Sequence, residues 1–291
     1  MRIVTDCAAD MLKAELQAFD IVEAPLYIQF PEGEVNSADL SPDDFYNRLR
    51  AMYPAIPTTA QPSSGVLGQI YQQLAATDDQ ILSVHISSGL SGTSQAAQLA
   101  ANALDGAARV NVWDTLTLSG GQRYQVLAAA LAARDGWSLS AIQRLLTELR
   151  TQTEVIFTLE TLDYLARGGR IGRVQALAGS LLKIKPIIRV EQSDGKYSNV
   201  GRARNIAQAL NQIAEHLRGL YSNQPVWVTI MHGQLAEQAE ALSKLLIGKV
   251  NVARLETLRV SPVLGVHTGP GVVGVAVTPM KLMEDLLAAQ A

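Results

Sequence analysis

Residues 80–113 read QILSVHISSGLSGTSQAAQLAANALDGAARVNVW, and this stretch decides the fold class. Gln80 to Ile86 is a short apolar run, the pattern of a strand buried on both faces. Ser87 to Thr93 breaks it with hydroxyls and two glycines. Ser91 to Leu104 is Ala-rich and predicts a helix. Arg109 to Trp113 alternates again and predicts a strand. Strand, tight loop, helix and strand make a βαβ unit, which demands a parallel sheet.

The same alternation extends outward. Arg2 to Thr5 predicts a buried strand, and Ile21 to Phe30 a further extended segment. Ser41-Pro42-Asp43-Asp44 starts a helix with a capping hydroxyl, a proline at the first position and acids facing the positive helix end. That helix must stop before Pro54. Gln61-Pro62-Ser63-Ser64-Gly65 opens the next helix, through Ala75. Leu118 to Arg134 and Leu139 to Arg150 are also predicted as helices. Residues 1–153 therefore form an N-terminal α/β domain, one doubly wound, mostly parallel layer. Its strand ends fall at Asp6, Ser87 and Asp114, and ligands of such sheets bind outside the carboxyl ends of the strands.

Residues 154–291 predict a second, mixed α/β domain. Its strands are Glu154–Thr158, Ile184–Val190, Lys196–Val200, Pro225–Met231, Val250–Thr257 and Val272–Val277. Asp194-Gly195 marks a hairpin turn. Helices are expected at Leu162–Ala166, Val174–Leu182, Asn205–Leu220, Leu235–Leu246 and from Lys281. The fold class is thus α/β in two domains.

Composition agrees and narrows function. Of the 291 residues, 48% are hydrophobic but only 5% aromatic, and 18% are charged. Such a chain builds an aliphatic core and is not disordered. Few rings argue against a stacking platform for single strands. A net charge of −3 argues against nucleic acid as a partner. The single cysteine, Cys7, excludes an intramolecular disulfide and a cysteine metal cluster. No apolar run reaches the roughly 20 residues of a membrane span, and Met1 leads directly into the first strand without a signal peptide, so a cytoplasmic protein is expected.

Several segments carry candidate chemistry. Gly269-Pro270-Gly271-Val272-Val273-Gly274 matches a dinucleotide fingerprint, but β-branched residues follow where a helix is required. The run Ser87-Ser88-Gly89-Leu90-Ser91-Gly92-Thr93 is either an anion site at a helix start or a plain serine cap. Thr58-Thr59-Ala60-Gln61-Pro62 presents the same choice, and Asp6 either meets a ligand or caps the segment after it. His85 reads as a satisfied core residue. His267 lies in a glycine-rich loop; a lone histidine there is more often a structural hydrogen bonder, but the surrounding glycines permit close approach of a ligand. No metal-ligand spacing appears. Arg167-Gly168-Gly169-Arg170-Ile171-Gly172-Arg173 is either a solvated basic loop or a site for phosphate or an acidic partner, since arginine forks match such oxygens. Arg202 and Arg204 follow the hairpin.

Taken in order, these runs resemble the DegV family of bacterial fatty-acid-binding proteins. The matching runs are Ile3-Val4-Thr5-Asp6, Gln61-Pro62-Ser63, Ile86-Ser87-Ser88, Leu90-Ser91-Gly92-Thr93, Leu165-Ala166-Arg167-Gly168-Gly169-Arg170-Ile171, Lys185-Pro186-Ile187 and Gly265-Val266-His267-Thr268-Gly269-Pro270-Gly271. The resemblance implies a long-chain fatty acid between the two domains, no other cofactor and no catalysis by this chain. It implies that a separate fatty acid kinase makes acyl phosphate from the bound acid, for phospholipid synthesis, and it is compatible with transient membrane contact. By the same resemblance Thr59 and Ser91 hold the carboxylate, and His267 joins their network. Asp6, Ser88 and Gly92 complete the ligand-binding candidates. Arg170 falls to kinase docking or phosphotransfer, with Arg202 or Arg204 as a second arginine. Three positions depart from the family pattern, which has Ser at Cys7, Ser at Ala60 and Ser at Thr115. Two other functions fit the residues: an acyl hydrolase or transferase with Ser91 as nucleophile and His267 as base, and a carrier of another hydrophobic carboxylic acid or an isoprenoid.

Overall fold

The computed structural model describes residues 1–104, 106, 109–175 and 184–288. Its strands are β1 (Arg2–Asp6), β2 (Val22–Ala24), β3 (Tyr27–Phe30), β4 (Gly33–Asn36), β5 (Thr58–Ala60), β6 (Gln80–His85), β7 (Arg109–Asp114), β8 (Glu154–Leu159), β9 (Lys185–Val190), β10 (Tyr197–Ala203), β11 (Val226–His232), β12 (Val252–Arg259) and β13 (Val272–Pro279). Its helices are α1 (Lys13–Ala18), α2 (Pro42–Met52), α3 (Ser64–Ala75), α4 (Thr93–Asn102), α5 (Ser119–Arg134), α6 (Leu139–Gln152), α7 (Asp163–Arg167), α8 (Ile206–Tyr221), α9 (Ala236–Ile247), α10 (Pro262–Thr268) and α11 (Glu284–Ala288). Among the described residues no helix is long and apolar enough to cross a membrane.

The first sheet is four-stranded and wholly parallel, in the order β2-β1-β6-β7. From β1 the chain moves to β2 on one side, then returns past β1 to β6. The crevice beyond the carboxyl ends of β1 and β6 is therefore a topological switch point. Both faces are covered. Val4 and Ile81 pack under Leu67, Tyr71 and Ala97 of α3 and α4. Ile3, Leu82 and Val84 belong to the cluster that holds α5.

The second sheet is six-stranded and mixed, in the order β10-β9-β8-β13-β11-β12. Only β11 and β12 run parallel within it. The Asp194-Gly195 hairpin forms as expected between β9 and β10, with Gly195 at φ +64°.

Helix α5 lies between the two sheets and is buried from Ser119 to Ala132. Its sequence permits this in two ways. Small residues admit close neighbours: a Cβ on Gly120 would lie 2.8 Å from Ala276 Cβ, and one on Gly121 2.6 Å from Val155. Most of its polar side-chain groups are bonded: Gln122 donates to Asp6 at 3.1 Å although its Oε1 has no partner among the described residues, Tyr124 meets Thr229 at 2.7 Å, and the fully buried Arg123 pairs with Glu15 on one side and Glu256 on the other. Burial of a helix on all sides is tolerable when its polar groups are satisfied in this way.

Three sequence expectations need correction. Ile21 to Phe30 is not one segment: pairing with β1 ends at Ala24, and Pro25, which has no N–H to donate, breaks the ladder. The chain then enters a separate three-stranded antiparallel sheet, β4-β3-β5. The first 153 residues therefore hold two sheets, not one layer. The segment around His267 is a helix, α10, not a glycine-rich loop. Pro262 starts it and Gly269, at φ +74°, ends it. Finally, the chain after β13 forms a 3₁₀ turn at Met280–Leu282 before α11 instead of one helix from Lys281. The helix expected at Val174–Leu182 lies, from residue 176, outside the described residues.

Candidate functional site

A cavity of about 270 Å³ opens at the switch point. Ala8 follows β1 and Ile86 follows β6, so the carboxyl ends of both strands form its floor. Thr59, Ser91, Arg170 and His267 all line it. Residues up to Leu118 supply one wall, and Arg170, Tyr197, Val263, Leu264 and His267 supply the other.

Each polar residue reaches the cavity for a local reason. Thr59 sits in the edge strand β5, where its register against Ile28 of β3 fixes it. Its Oγ1 is 2.8 Å from His267 Nε2. His267 lies in the last turn of α10, which packs on α2 through Gly265; a Cβ there would lie 2.7 Å from Phe45 and 2.8 Å from Tyr46. The other ring nitrogen, Nδ1, is buried with no partner among the described residues. Gly168 covers it, since a Cβ at that position would be 2.3 Å away. Burial and then the Arg170 charge push the His267 pKa down to about 4, so the ring is neutral near pH 7.

Ser91 belongs to the loop between β6 and α4. Its Oγ is 2.8 Å from Thr93 Oγ1 and accepts the Thr93 N–H at 3.4 Å. Gly92 is the N-cap of α4 and makes no side-chain cap bond. A Cβ there would lie 2.4 Å from Oε1 of Gln61, another cavity residue, so that flexible side chain would have to swing aside. The hairpin holds this loop in place. Ser87 Oγ donates to Gly195 O at 2.9 Å, and a Cβ on Gly195 would lie 1.9 Å from that hydroxyl.

Arg170 donates to Gly168 O at 2.9 Å and to Leu90 O at 3.4 Å. It thereby ties the loop after α7 to the loop after β6. The family resemblance links it to kinase docking or phosphotransfer; the fold puts it on the cavity wall beside Thr59, Ser91 and His267. Arg202 and Arg204 lie exposed on and just after β10, away from that wall.

Asp6 and Ser88 sit differently from the other candidates. Asp6 is fully buried and accepts from Ala8 N, Ile86 N, Gln122 Nε2 and the His85 ring. It braces the floor from behind and caps the turn after β1. Ser88 is exposed, and its N–H donates to Asp114 at 3.1 Å. Neither lines the cavity. Of the three departures, only Ala60 lines it. Cys7 is buried in the core, where desolvation pushes its thiol well above the usual range. Thr115 is buried and donates to His85 O at 2.8 Å.

Sequence reasoning missed the apolar part. An inner cavity of about 30 Å³ shares Leu118, Tyr197 and Leu264 with the first. It continues to Val155, Phe157 and Met231 against the second sheet. Its Ser119 hydroxyl is turned away to Asp10. Its Thr268 hydroxyl donates to Leu264 O. These side chains look like ordinary core residues in the sequence, and no local signal sets them apart.

The arrangement is polar and donor-rich at one end and apolar at the other. Ser91 and His267 share the cavity, but each hydrogen-bonds a different threonine. Among the described residues no group of three or more His, Cys, Asp or Glu side chains could hold a metal ion.

Comparison with known proteins places the chain in a wider set. The model of the DegV family, described as uncharacterised proteins, matches residues 1–280. A DegV domain-containing protein of Deinococcus radiodurans is 37% identical over 279 residues, covering 95% of each chain. A solved structure described as fatty acid binding of a DegV family protein from Thermus thermophilus has a TM-score of 0.88 at 32% identity, covering 96% of this chain and 100% of that one. A stearic-acid-binding protein from Eubacterium ventriosum has a TM-score of 0.86 at 25% identity, covering 96% and 98%.

Proposed function

The chain belongs to the DegV family, and from that premise we propose that it is a non-catalytic carrier of a long-chain fatty acid. The carboxylate lies at Thr59, Ser91 and His267, and the tail runs past Leu118, Tyr197 and Leu264 into the inner cavity. Residues 1–153 and 154–291 are the two domains that enclose it. A separate fatty acid kinase phosphorylates the presented carboxylate.

The observation that carries this reading is the junction of the two cavities. A hydroxyl and histidine cluster shares Leu118, Tyr197 and Leu264 with a small, mostly apolar inner cavity. His267 is neutral, and in its Nε2–H tautomer it donates to Thr59 Oγ1, which leaves the Thr59 hydroxyl proton for the anion. Hydrogen bonds to a charged group contribute about 1.5–3 kcal/mol each, enough to orient a carboxylate. Each buried methylene adds about 0.8 kcal/mol, so affinity comes chiefly from the tail. Association entropy takes back part of this. The inner cavity must widen to admit a tail, and the flexible Met231 would move at the expense of the hydrogen bonds its sulfur accepts from Ser119 Oγ and Gly120 N at 2.9 and 3.2 Å. An acyl-enzyme mechanism would need Ser91 bonded to His267, and the geometry supplies Thr59 to the histidine instead.

Native mass spectrometry of the purified chain tests the proposal. A co-purified or readily exchanged long-chain acid is expected. A lipid-free protein that takes up no long-chain acid overturns it.

A further inference from the structure

One carboxylate holds the neck between the two cavities from behind. Leu118, Tyr197 and Leu264 line both cavities. Leu118 directly precedes Ser119, the first residue of α5, and Leu264 stands three residues after Ser261, the N-cap of α10. Asp10, which ends the turn after β1, reaches both anchors. Its Oδ2 accepts the Ser119 hydroxyl, and its Oδ1 accepts the Ser261 N–H at 2.9 Å. Two walls of the neck thus meet on one side chain, of a residue only 8% exposed. Asp10 and Ser119 both lie at φ +51°, a region that residues other than glycine seldom adopt. Such conformations persist only where the surroundings over-determine them.

The surrounding charges make this clamp conditional. Among the described residues Asp10 enters no ion pair, and its side chain is held by the two serines alone. Arg123 of α5 acts on it without pairing and is itself paired with Glu15 and Glu256. Glu23 of β2 and Tyr46 of α2 face it from other sides, and its charge raises the pKa of both. Asp6 and Lys13 act on Glu23 in turn, and Arg259 acts on Tyr46. Burial is the largest influence on Asp10 and outweighs the serine bonds and Arg123, so its pKa rises to about 6. Both serine bonds are strongest while the carboxyl is ionised. A proton taken up just below neutral pH therefore weakens the hold on both walls.

We propose that Asp10 is a positioning residue for entry and exit of the acyl tail. Ionised, it clamps the start of α5 to the start of α10 and keeps the neck at Leu118 and Leu264 narrow. Neutral, it lets the two walls part, and the inner cavity widens. The inference rests on the reading of the two cavities as a fatty acid site.

Release kinetics on the full chain test this. A bound fluorescent long-chain fatty acid is chased with excess palmitic acid in a stopped-flow instrument, at about pH 7.5 and about pH 5. The readout is the release rate of a variant divided by that of the wild type at the same pH. The ligand carboxyl, Glu23 and His267 titrate in every protein, so they cancel in this ratio. Asp10→Asn removes the charge and keeps the shape, and asparagine tolerates the left-handed backbone. It should release the probe about fivefold faster than the wild type at the higher pH and at about the wild-type rate at the lower one. Ser119→Ala removes one anchor and should converge in the same way from about a twofold excess, so the test survives if Asp10→Asn misfolds. That variant also loses a contact to the Met231 sulfur, but this contact titrates nothing, so an effect carried by it would be equal at both pH values. Ratios near one at the higher pH, or ratios that do not change with pH, overturn the clamp. A wild type that takes up no long-chain acid overturns the fatty acid reading itself, and the clamp with it.

Discussion

His85 and His267 both approach the carboxyl ends of the parallel sheet, and they differ in what is left unbonded. His85 is fully buried, with Nε2 2.7 Å from Ser83 Oγ and Nδ1 2.9 Å from Asp6 Oδ2. Ser83 in turn meets Tyr71 at 2.8 Å. Nothing on that ring is available to a ligand. His267 has one partnered nitrogen, and that partner is a hydroxyl on a cavity wall. One histidine closes a network that sets the strand ends; the other holds a hydroxyl ready for something that enters. The sequence presents both as isolated histidines, and the count of unused hydrogen-bond capacity tells them apart.

The sharpest way to break this contrast is to attack the closed side. Asp6→Ala strips the acceptor from the Ala8 and Ile86 amides, Gln122 and His85 at once. Leaving buried donors unpaired costs about 1–3 kcal/mol each, not additively. Urea unfolding should show a loss of about 3–5 kcal/mol for Asp6→Ala and a smaller loss of about 1–2 kcal/mol for Thr59→Ala, which leaves one buried His267 nitrogen unpaired. Similar losses in the two variants would erase the distinction between a bracing network and a ligand-facing one.

That outcome also bears on what the sequence could convey. Thr59, Ser91 and His267 were legible as candidates through the ordered family motifs, since on the residues alone each read as well as a cap or a structural hydrogen bond. Asp6 was equally legible as a residue but not as a role, since a strand-end carboxylate can face inward or outward. Helix α10 was hidden by its length of seven residues and by Gly265, which weakens a helical pattern yet is needed against Phe45 and Tyr46. The small sheet was hidden because β4 and β5 span only four and three residues. Phe157 and Met231 were invisible as site residues for a deeper reason. Periodicity reports that a side chain is buried, not whether it is buried against protein or against a cavity. Arg170 needed the tertiary fold, because only that brings the loop after α7 to Leu90.

On the open side the expected effects are in binding. Thr59→Ala and Ser91→Ala each remove one hydroxyl from the head-group cavity. Loss of a hydrogen bond to a charged group, about 1.5–3 kcal/mol, corresponds to roughly ten- to a hundredfold in Kd. Displacement of a fluorescent fatty acid should show it. An unchanged Kd in both variants would place the carboxylate elsewhere.

The pH response of His267 is somewhat smaller. Burial and the Arg170 charge hold its pKa at about 4 in the folded chain, against about 6.5 when unfolded. Between those values the unfolded chain binds more protons. The contribution is thus full above pH 6.5 and is lost as the pH falls toward 4. Burial also pushes the Asp10 and Glu23 carboxyls up to about 6 and about 7, and these titrate in the same window. The readout is therefore the wild type minus His267→Gln difference in unfolding free energy. It should fall by about 1–3 kcal/mol between pH 7 and pH 4. A flat difference would mean that His267 takes up its proton as readily folded as unfolded.

The smallest step per measurement lies at the apolar end, where polar and apolar halves of the site should separate cleanly. Affinities of saturated acids lengthened one methylene at a time should rise by at most about 0.8 kcal/mol per carbon, until the inner cavity is full. The slope should be the same in the wild type and in Thr59→Ala, because that substitution touches only the head. Leu264→Phe should leave the head contacts in place and move the plateau to shorter chains, since Leu264 lines the neck between the two cavities. A plateau that stays put in Leu264→Phe would show that the tail does not pass this neck, and the junction on which the carrier reading rests would have to be drawn along another path.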